Sequence, residues 1–581
     1  NLKKNRRLFL SVIPKDFDPK KDIAIGPRSL IGMEDLYPNW QDFNFVDVFS
    51  DRFFRKKEAL LASQIANKKL CELAQEMNNN HNINKSVGFW QIILMPWLFN
   101  FTMVSLKRYR EVQYLVTQNK EQELHVEIFD KNRDWQLIDD SSLWQRALRN
   151  PVFDYWLTSQ FVKLMAPRNW KTSSVSVPIT DYSEKNKSYL SNAPQKTRLR
   201  LPVDRLPGMR LHHQFLLSFY CLLISPFHRR KNVPEVHDRT RKTVVDISPS
   251  FYSVYNMVLR SCMPLSLRNH FHNYNTNAQK IRYHSGRLYL SSSGLLHHSI
   301  EKRFEAAHAF ENGERLVLAQ HGAGYGIWDY FFASEIEYKH HAFLSWGWKK
   351  HSGHTVRAVP TKSPLISEFL NKQVVKKREG IILVGTRMSI SCNRFNSEAE
   401  PLELLRYRQM KLDLYSKLAK EIKGNFKYRP YPFEIADLDD EKFFEKYAPQ
   451  VPIVRGDLEP QVHSSKLIII DYPGTLLHIM MASSTPIIAL WDKNSWPISK
   501  SAEEQFDCLR IAGILHHNTE SAVAHINKIW PNPNEWWQNP STLKMRKAWS
   551  DKHGQHSKFW LFFWLKSLWK VNLMPKIIKN E

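Results

Sequence analysis

Short runs of apolar residues alternate with longer amphipathic segments through the second half of the chain. Strands are predicted at 380–384, 426–428, 452–454, 467–470 and 486–490, and the β-branched run at 467–470 suits a fully buried strand. Helical periodicity lies between and after them, at 401–422, 440–447, 503–512 and 521–530. Strands and helices that alternate in this way predict an α/β fold with a doubly wound parallel sheet.

The first half has a weaker version of the same pattern. Strands are predicted at 7–14, 123–129, 287–290, 315–319 and 342–348, with helices over most of 51–118 and at 301–310. The segment 167–210 is rich in Ser, Pro and Lys, which predicts a long loop or a capping insertion. A proline and a basic run give 361–377 the composition of a linker between domains.

These patterns predict two Rossmann-like α/β domains that face each other across a deep cleft. The predicted bounds are 1–370 for a first domain with helical insertions and 371–535 for a second domain. A helical tail, 536–581, is expected to pack back on the first domain.

The segment 466–498 carries the most informative local pattern. A buried strand is followed by a turn with Tyr472 and Gly474, and a helix begins near Thr475. The N–H groups and positive dipole end of a helix N-terminus favour an anion, Gly474 permits close approach, and Thr475 adds a hydroxyl donor. The pattern predicts a phosphate cradle for a sugar nucleotide. An ordinary strand-to-helix turn with a threonine near its cap has the same spacing.

Charge narrows the classes of partner. The 581 residues include 83 Lys and Arg against 57 Asp and Glu, a formal net charge of +26. This predicts an anionic partner: nucleic acid, a phosphate-bearing substrate or anionic lipid. We find no zinc-finger spacing, no basic region leading into heptads and no RRM-type aromatic signature. A nucleic-acid-binding protein is therefore an alternative that rests on charge alone.

Cysteine usage and the apolar runs favour a cytoplasmic protein. Five widely spaced cysteines without a CxxC pair argue against a disulfide framework. Residues 8–13 are too short for the apolar region of a signal peptide, and 87–106 carries Gln91, Pro96 and Asn100, which predicts a buried helix instead of a membrane span. The tail at 558–570 mixes Lys with Trp and Phe, so peripheral contact with an anionic inner membrane stays open.

Several motifs, in this order, carry a resemblance to a known family: QHGAGYG at 320–326, LSWGW at 344–348, YRPYP at 428–432, IIDYPGT at 469–475 and PIIALWD at 486–492. With them the chain resembles the LIC-type family of bacterial surface-polysaccharide transferases over nearly its whole length. It is more distantly similar to capsule transferases that use CMP-activated Kdo and to transferases for nonulosonic acids such as pseudaminic acid.

The resemblance implies a metal-independent glycosyltransferase of the GT-B fold. Its donor would be a nucleotide-activated sugar, in particular a CMP-linked ulosonic acid, and its acceptor a glycan or lipid-linked glycan of the bacterial surface. In such enzymes the C-terminal domain holds the nucleotide, and the N-terminal domain holds the acceptor and the base.

Donor-side candidates lie at the predicted strand ends of the second half. Related capsule enzymes grip the nucleotide with a strand-end His-Pro pair; Arg429 and Pro430 take that place here, and a guanidinium can pair bidentately with phosphate. Because the His is absent here, the sequence does not decide whether the nucleotide of the donor is CMP or UDP. Asp492 is placed to accept hydrogen bonds from ribose, or to act as a plain cap. A second small-residue loop consists of Gly385, Thr386 and Arg387. Arg387 can reach the donor phosphate or a sugar carboxylate. For Arg429, pairing with an acidic neighbour is the structural alternative.

His321 is the candidate base, since glycosyl transfer requires removal of the acceptor hydroxyl proton and a near-neutral imidazole suits that task. A loop imidazole that only forms hydrogen bonds is the alternative. Glu34 and Asp35, in the loop after the first strand, are alternative bases. Further acceptor-side candidates are Arg28, Gln320, Gly322, Gly324 and Tyr325. Ordinary solvated loop charges are the competing interpretation of 28, 34 and 35.

No metal is expected, because the helix start and the arginines can stabilise the leaving phosphate. The segment 437–440 superficially fits a DxD metal motif, but it precedes a helix, where acids cap the dipole. The 24 histidines show no zinc-binding spacing. A nucleotide-sugar epimerase or hydrolase of the same fold stays open as an alternative.

Overall fold

Three larger parallel sheets organise the part of the chain that the computed structural model describes. The described residues are 6–130, 150–175, 200–227, 232–234, 247–292, 299–372, 377–432 and 437–578, apart from 31, 34–35, 38–39, 41–42, 44, 388, 390–393 and 396–398.

The strands, in chain order, are β1 (Arg6–Phe9), β2 (Ile23–Ala24), β3 (Leu124–Phe129), β4 (Trp170–Val175), β5 (Asn232–Pro234), β6 (Leu288–Ser291), β7 (Arg315–Ala319), β8 (Ala342–Ser345), β9 (Ala358–Pro360), β10 (Ile381–Val384), β11 (Phe426–Arg429), β12 (Leu467–Ile470), β13 (Ile487–Leu490), β14 (Leu515–His516) and β15 (Lys576–Ile578). The first sheet has the order β2-β1-β3-β4, the middle sheet β6-β7-β8-β9 and the third sheet β11-β10-β12-β13-β14. β5 pairs with β15.

The helices, in chain order, are α1 (Arg52–His81), α2 (Val87–Gln118), α3 (Pro151–Met165), α4 (Leu211–Ile224), α5 (Pro249–Ser261), α6 (Phe271–Gln279), α7 (Ile300–Glu311), α8 (Ser334–Glu337), α9 (Pro364–Asn371), α10 (Pro401–Lys417), α11 (Lys420–Lys423), α12 (Asp440–Tyr447), α13 (Leu458–Ser464), α14 (Thr475–Ala482), α15 (Glu503–Ile511), α16 (Thr519–Ile529), α17 (Pro533–Gln538), α18 (Pro540–His553) and α19 (Trp560–Asn572).

The parallel α/β architecture predicted from the sequence is confirmed. The strands of the third sheet are fully buried in their central members, as expected for β-branched runs that are covered by helices on both faces. Two local predictions were wrong. β4 lies inside the segment predicted as a loop, and the run at 452–454 forms only an isolated bridge, Tyr428 to Ile453.

The strand order of the third sheet reverses between β10 and β12. After β10 the chain adds β11 on one side, and then returns to add β12, β13 and β14 on the other side. Ligands of open parallel sheets bind outside the carboxyl ends of the strands at such a point. The loops that begin at Gly385 and at Asp471 leave the sheet there.

Backbone hydrogen bonds join the segment after β7 of the middle sheet to the segment after β13 of the third sheet. The backbone around Ile327 to Asp329 pairs with 497–499: Asp329 donates to the Pro497 carbonyl at 3.0 Å, and Ser499 donates to the Ile327 carbonyl at 2.6 Å. At the C-terminus, α18 packs against α14 and α15 beside the third sheet, whereas α19 crosses to the middle sheet and contacts β9. The bounds of the domains stay a prediction.

Helix α2 runs unbroken from Val87 to Gln118, through Pro96. It is long and apolar enough to cross a membrane, although 87–106 was predicted to fall short of a membrane span. However, 89% of its most apolar window is buried inside the protein, in agreement with the predicted buried helix. It packs against α1, α3 and α7 as a core helix.

Candidate active site

The predicted phosphate cradle lies at the point where the third sheet reverses its order. α14 begins at Thr475, and its N-cap, Gly474, has extended backbone angles and no side chain that could accept from the first N–H groups of the helix. The ring of Tyr472 lies against Gly474 so closely that a Cβ there would collide with it. The helix start therefore has the backbone geometry that an anion requires, with Tyr472 as one wall.

The other wall of the cradle comes from the middle sheet. The loop after β7 reaches the start of α14, where the Ala323 backbone N–H donates to Thr475 Oγ1 at 3.2 Å. A Cβ at Gly322 would lie only 3.0 Å from the same oxygen. Because Gly322 follows His321 directly, the candidate base and the candidate phosphate cradle lie on two loops that contact each other, one from each sheet.

His321 is the outer member of a hydrogen-bonded relay. Its Nδ1 lies 2.9 Å from the hydroxyl of Tyr325, and that hydroxyl lies 2.8 Å from both carboxylate oxygens of Glu337. Tyr325 and Glu337 are buried, whereas His321 is half-buried. Glu337 belongs to the short helix α8, and nothing in the sequence around it indicates this role.

The protonation of Glu337 decides which nitrogen of His321 carries a proton. Burial raises the pKa of Glu337 to about 8, although the Tyr325 hydrogen bond opposes this. When Glu337 is ionised, Tyr325 donates to it and must accept from Nδ1–H, which leaves the lone pair on Nε2. When Glu337 is protonated, it donates to Tyr325, Tyr325 donates to Nδ1, and Nε2 carries the proton. The relay therefore switches Nε2 of His321 between donor and acceptor.

The loop that carries His321 is shaped by Gln320 and two glycines. Buried Gln320 accepts from the Trp346 backbone N–H and Trp348 Nε1, both at 2.9 Å, and donates to the Gly322 carbonyl at 3.0 Å. Gly324 has a φ of +92°, and a Cβ there would lie 2.7 Å from the ring of Phe331. Gln320 and Gly324 thus fix the backbone of the loop, because both pack against aromatic residues of the protein.

A buried charge cluster lies under the strand ends of the third sheet, and sequence analysis missed it. Lys411 Nζ contacts Asp440 at 2.7 Å and Asp471 at 3.2 Å, and Arg408 holds the other oxygen of Asp440 at 3.2 Å. Burial raises the pKa of Asp471 in spite of Lys411 and a backbone hydrogen bond from Thr386. Through the ion pair of Lys411 with Asp471, the cluster links α10 to the loop that leaves β12, and so it supports the cradle.

The remaining donor-side candidates have protein partners. Arg387 pairs with Asp437 at 3.1 Å, and Arg429 donates to the Gly456 carbonyl at 2.9 Å, beside half-buried Pro430. Gly385 packs so tightly on Tyr428 that a Cβ would lie 2.6 Å from its hydroxyl. Arg429 therefore contacts a backbone carbonyl, whereas the arginine that pairs with an acidic neighbour is Arg387.

Asp492 lies on a cavity of about 610 Å³ at the carboxyl ends of β13 and β14. Its carboxylate accepts from the Asn494 backbone N–H at 2.8 Å. The lining is strongly acidic and includes Asp47, Asp51, Glu400, Glu403, Asp413, Asp492 and Glu520, together with Arg52, Arg406 and Thr519. Such a lining suits a hydroxyl-rich group better than a phosphate.

The acceptor-side candidate Arg28 is buried and forms a bidentate pair with Glu111, at 3.0 and 2.9 Å, so it is not a solvated loop charge. Glu34 and Asp35 lie outside the described residues. In the DxD-like segment, Asp437 pairs with Arg387, and Asp439 caps α12 by accepting from the Lys442 N–H. Among the described residues, no group of three His, Cys, Asp or Glu is arranged to hold a metal ion.

Both the sequence and the fold of the chain are similar to those of known proteins. Residues 6–568 match the family model described as LIC12162 family transferase. A search of curated proteins found no match. The chain is similar in structure to the S. aureus MnaA–UDP co-structure, with 10% identity, coverage of 58% of this chain and 90% of that chain, and a TM-score of 0.33.

Two further solved structures show comparably distant similarity. One is an O-GlcNAc transferase from Thermobaculum terrenum, with 12% identity, coverage of 64% of this chain and 69% of that chain, and a TM-score of 0.29. The other is WaaG, a glycosyltransferase involved in lipopolysaccharide biosynthesis, with 8% identity, coverage of 80% and 95%, and a TM-score of 0.22.

Proposed function

Because the chain belongs to the LIC12162 family of transferases, we propose that it is a glycosyltransferase of the GT-B plan that moves a sugar from a nucleotide donor to a glycan acceptor. The third sheet would bind the nucleotide, and the loop after β7 would present the base to the acceptor. The observation that supports this division most directly is the hydrogen bond from the Ala323 N–H to Thr475 Oγ1 at 3.2 Å, which joins the two loops.

The chemistry follows from the two walls of the site. With Glu337 ionised, the acceptor hydroxyl loses its proton to Nε2 of His321, and its oxygen forms a bond to the anomeric carbon, which gains positive charge in the transition state. The bond from that carbon to the phosphate oxygen breaks, and the charge on the departing phosphate is stabilised by the N–H groups at the start of α14 and by the Thr475 hydroxyl. This stabilisation requires no metal ion.

We further propose that the donor is a CMP-activated ulosonic acid, such as Kdo or pseudaminic acid, and that the acceptor is a surface glycan assembled in the cytoplasm. The distant similarity of the family, to which the motifs at 320–326 and 469–475 link the chain, to transferases for such sugars supports this choice. The acidic cavity beside Asp492 would accept the hydroxyl groups of the donor's ribose.

The proposal is tested by nucleotide binding to the full chain. We expect CMP to raise the melting temperature, and Thr475→Ala to weaken binding about tenfold, the cost of one hydrogen bond to a charged group. Thr475→Ser keeps the hydroxyl and should bind like the wild type. Isothermal titration with CMP, CDP, UDP and GDP measures the affinities directly.

Thr519→Ala is the comparison variant, because Thr519 also begins a helix after a strand of the same sheet, although it lines the cavity beside Asp492. Thr117→Ala, at an exposed position on α2, is the control and should bind CMP like the wild type. If Thr519→Ala lost the affinity and Thr475→Ala kept it, the phosphate site would lie at β14 instead. Absence of binding by every nucleotide would overturn the proposal. Release of free or epimerised sugar from the donor without an acceptor would identify a hydrolase or an epimerase.

A further inference from the structure

Helix α4 exposes an apolar face that no described part of the chain covers. Leu217, Cys221 and Ile224 face inward and are buried in the cluster of the middle sheet. The opposite face exposes Leu211, Phe215, Leu216, Phe219, Leu222 and Leu223, each between 46% and 61%. Contiguous exposed apolar surface of this kind marks an interaction site.

Helix α19 lies beside α4 and adds a second, mixed face. Trp560, Trp564 and Leu568 pack into the middle sheet cluster, as a tail that returns to the first half of the chain would do. The outward stripe is Phe559, Phe562, Lys566, Trp569, Lys570 and Leu573, all exposed. Aromatic residues and lysines on one face of a helix are typical of segments that lie in a membrane interface.

The two helices form one rigid surface. Their first turns meet where the rings of His213 and Trp560 lie 4.8 Å apart, and their last turns are joined by Asn572, which donates to the Ile224 carbonyl at 2.8 Å. The exposed ring of Phe227 lies 6.0 Å from the ring of Trp569, so the apolar faces are continuous. We call this surface, α4 with Phe227 and the outward stripe of α19, the apolar platform.

The segments that build the platform carry only positive charge. Residues 205–234 contain five Lys or Arg and no Asp or Glu, and residues 552–580 contain six Lys and no Asp or Glu. Glu368, which approaches from α9, is already paired with Arg210 at 3.3 Å. A second copy of the platform would bring like charges face to face. An anionic surface complements both the charge and the exposed aromatic rings.

We propose that the apolar platform binds the surface of an anionic phospholipid bilayer, with the aromatic rings of α4 and α19 inserted at the level of the headgroups and the lysines of α19 beside the lipid phosphates. The sequence left membrane contact open for the tail alone; the structure makes α4 the larger part of the surface. The inference does not depend on the nature of the transferred sugar.

Flotation of the full chain with vesicles tests the proposal. We expect binding to vesicles of phosphatidylcholine with 30% phosphatidylglycerol, and about tenfold weaker binding to pure phosphatidylcholine, in about 0.1 M salt. The variant Phe215→Ser/Phe219→Ser/Phe562→Ser should lose binding to both by at least about tenfold. Lys566→Glu/Lys570→Glu should lose chiefly the preference for anionic vesicles.

Matched controls have the same chemistry elsewhere on the surface. Leu164→Ser/Met257→Ser/Ile511→Ser replaces three residues that are at least as exposed as Leu222, and Lys528→Glu/Lys544→Glu changes the charge equally. Both control variants should bind vesicles like the wild type. The melting temperatures of the platform variants and of the controls should equal that of the wild type.

Two results would overturn the proposal. The first is that the wild-type protein does not bind anionic vesicles. If the wild type is then a dimer in sedimentation velocity and the platform variant is a monomer, the occupant of the platform is a second copy of the chain. The other is equal loss of binding in the platform variants and their controls, which would reduce the effect to general charge and hydrophobicity.

Discussion

His321→Ala is expected to lower the turnover number about a thousandfold, within the range of 10²–10⁴ that a positioned general base contributes. The acceptor hydroxyl would then have to lose its proton to water as the glycosidic bond forms. Donor affinity should stay within about twofold of the wild type, because the proposed phosphate site lies at the start of α14 and does not include the imidazole. Initial rates with saturating donor and acceptor, together with titration of the nucleotide, separate the two effects.

Two further variants show whether the loss is specific to the relay. Tyr325→Phe removes the hydroxyl between His321 and Glu337 and should cost about tenfold to a hundredfold, since the imidazole stays but its tautomer is no longer controlled. His272→Ala, at an exposed position on α6, should leave the rate unchanged. Retention of more than about a tenth of the wild-type turnover by His321→Ala would show that another group takes the proton.

The parts of the fold that follow from local pattern could be predicted from the sequence. β7 and β12 were predicted at their observed bounds, because a buried parallel strand is a short apolar run with breakers at its end. The start of α14 was predicted to within one residue for the same reason. β4 was missed because its Ser, Thr and Lys residues lie at an exposed edge, where pairing with β3 decides the structure and composition does not.

The site could be predicted only as separate loops. The contact between Ala323 and Thr475 joins residues 152 positions apart, and no local signal specifies that these two loops meet. The same holds for Lys411, whose buried partners Asp440 and Asp471 come from other elements. A charged residue in an amphipathic helix is normally solvated, so its burial becomes evident only when the sheet is assembled.

Glu337→Gln is expected to change how the stability of the protein depends on pH. The carboxyl of Glu337 has a pKa of about 8 in the folded protein, against an ordinary value of 4.5. The folded state therefore binds this proton more tightly than the unfolded chain, and the free energy of unfolding of the wild type falls as the pH rises from about 4.5 to about 8. Glutamine keeps a hydrogen-bonding partner for Tyr325 and has no charge to bury.

Urea denaturation followed by tryptophan fluorescence, at pH 5, 6.5, 8 and 9, measures the effect. The stability of Glu337→Gln relative to the wild type should rise by about 3–5 kcal/mol between pH 5 and pH 9, at about 1.4 kcal/mol for each unit of pKa difference. Glu335→Gln is the control: Glu335 is buried nearby but paired with Lys339 at 3.4 Å, so its replacement should give no gain at high pH. A constant offset between Glu337→Gln and the wild type at every pH would mean that Glu337 is already ionised throughout this range. The relay would then hold His321 in one tautomer, with the lone pair on Nε2.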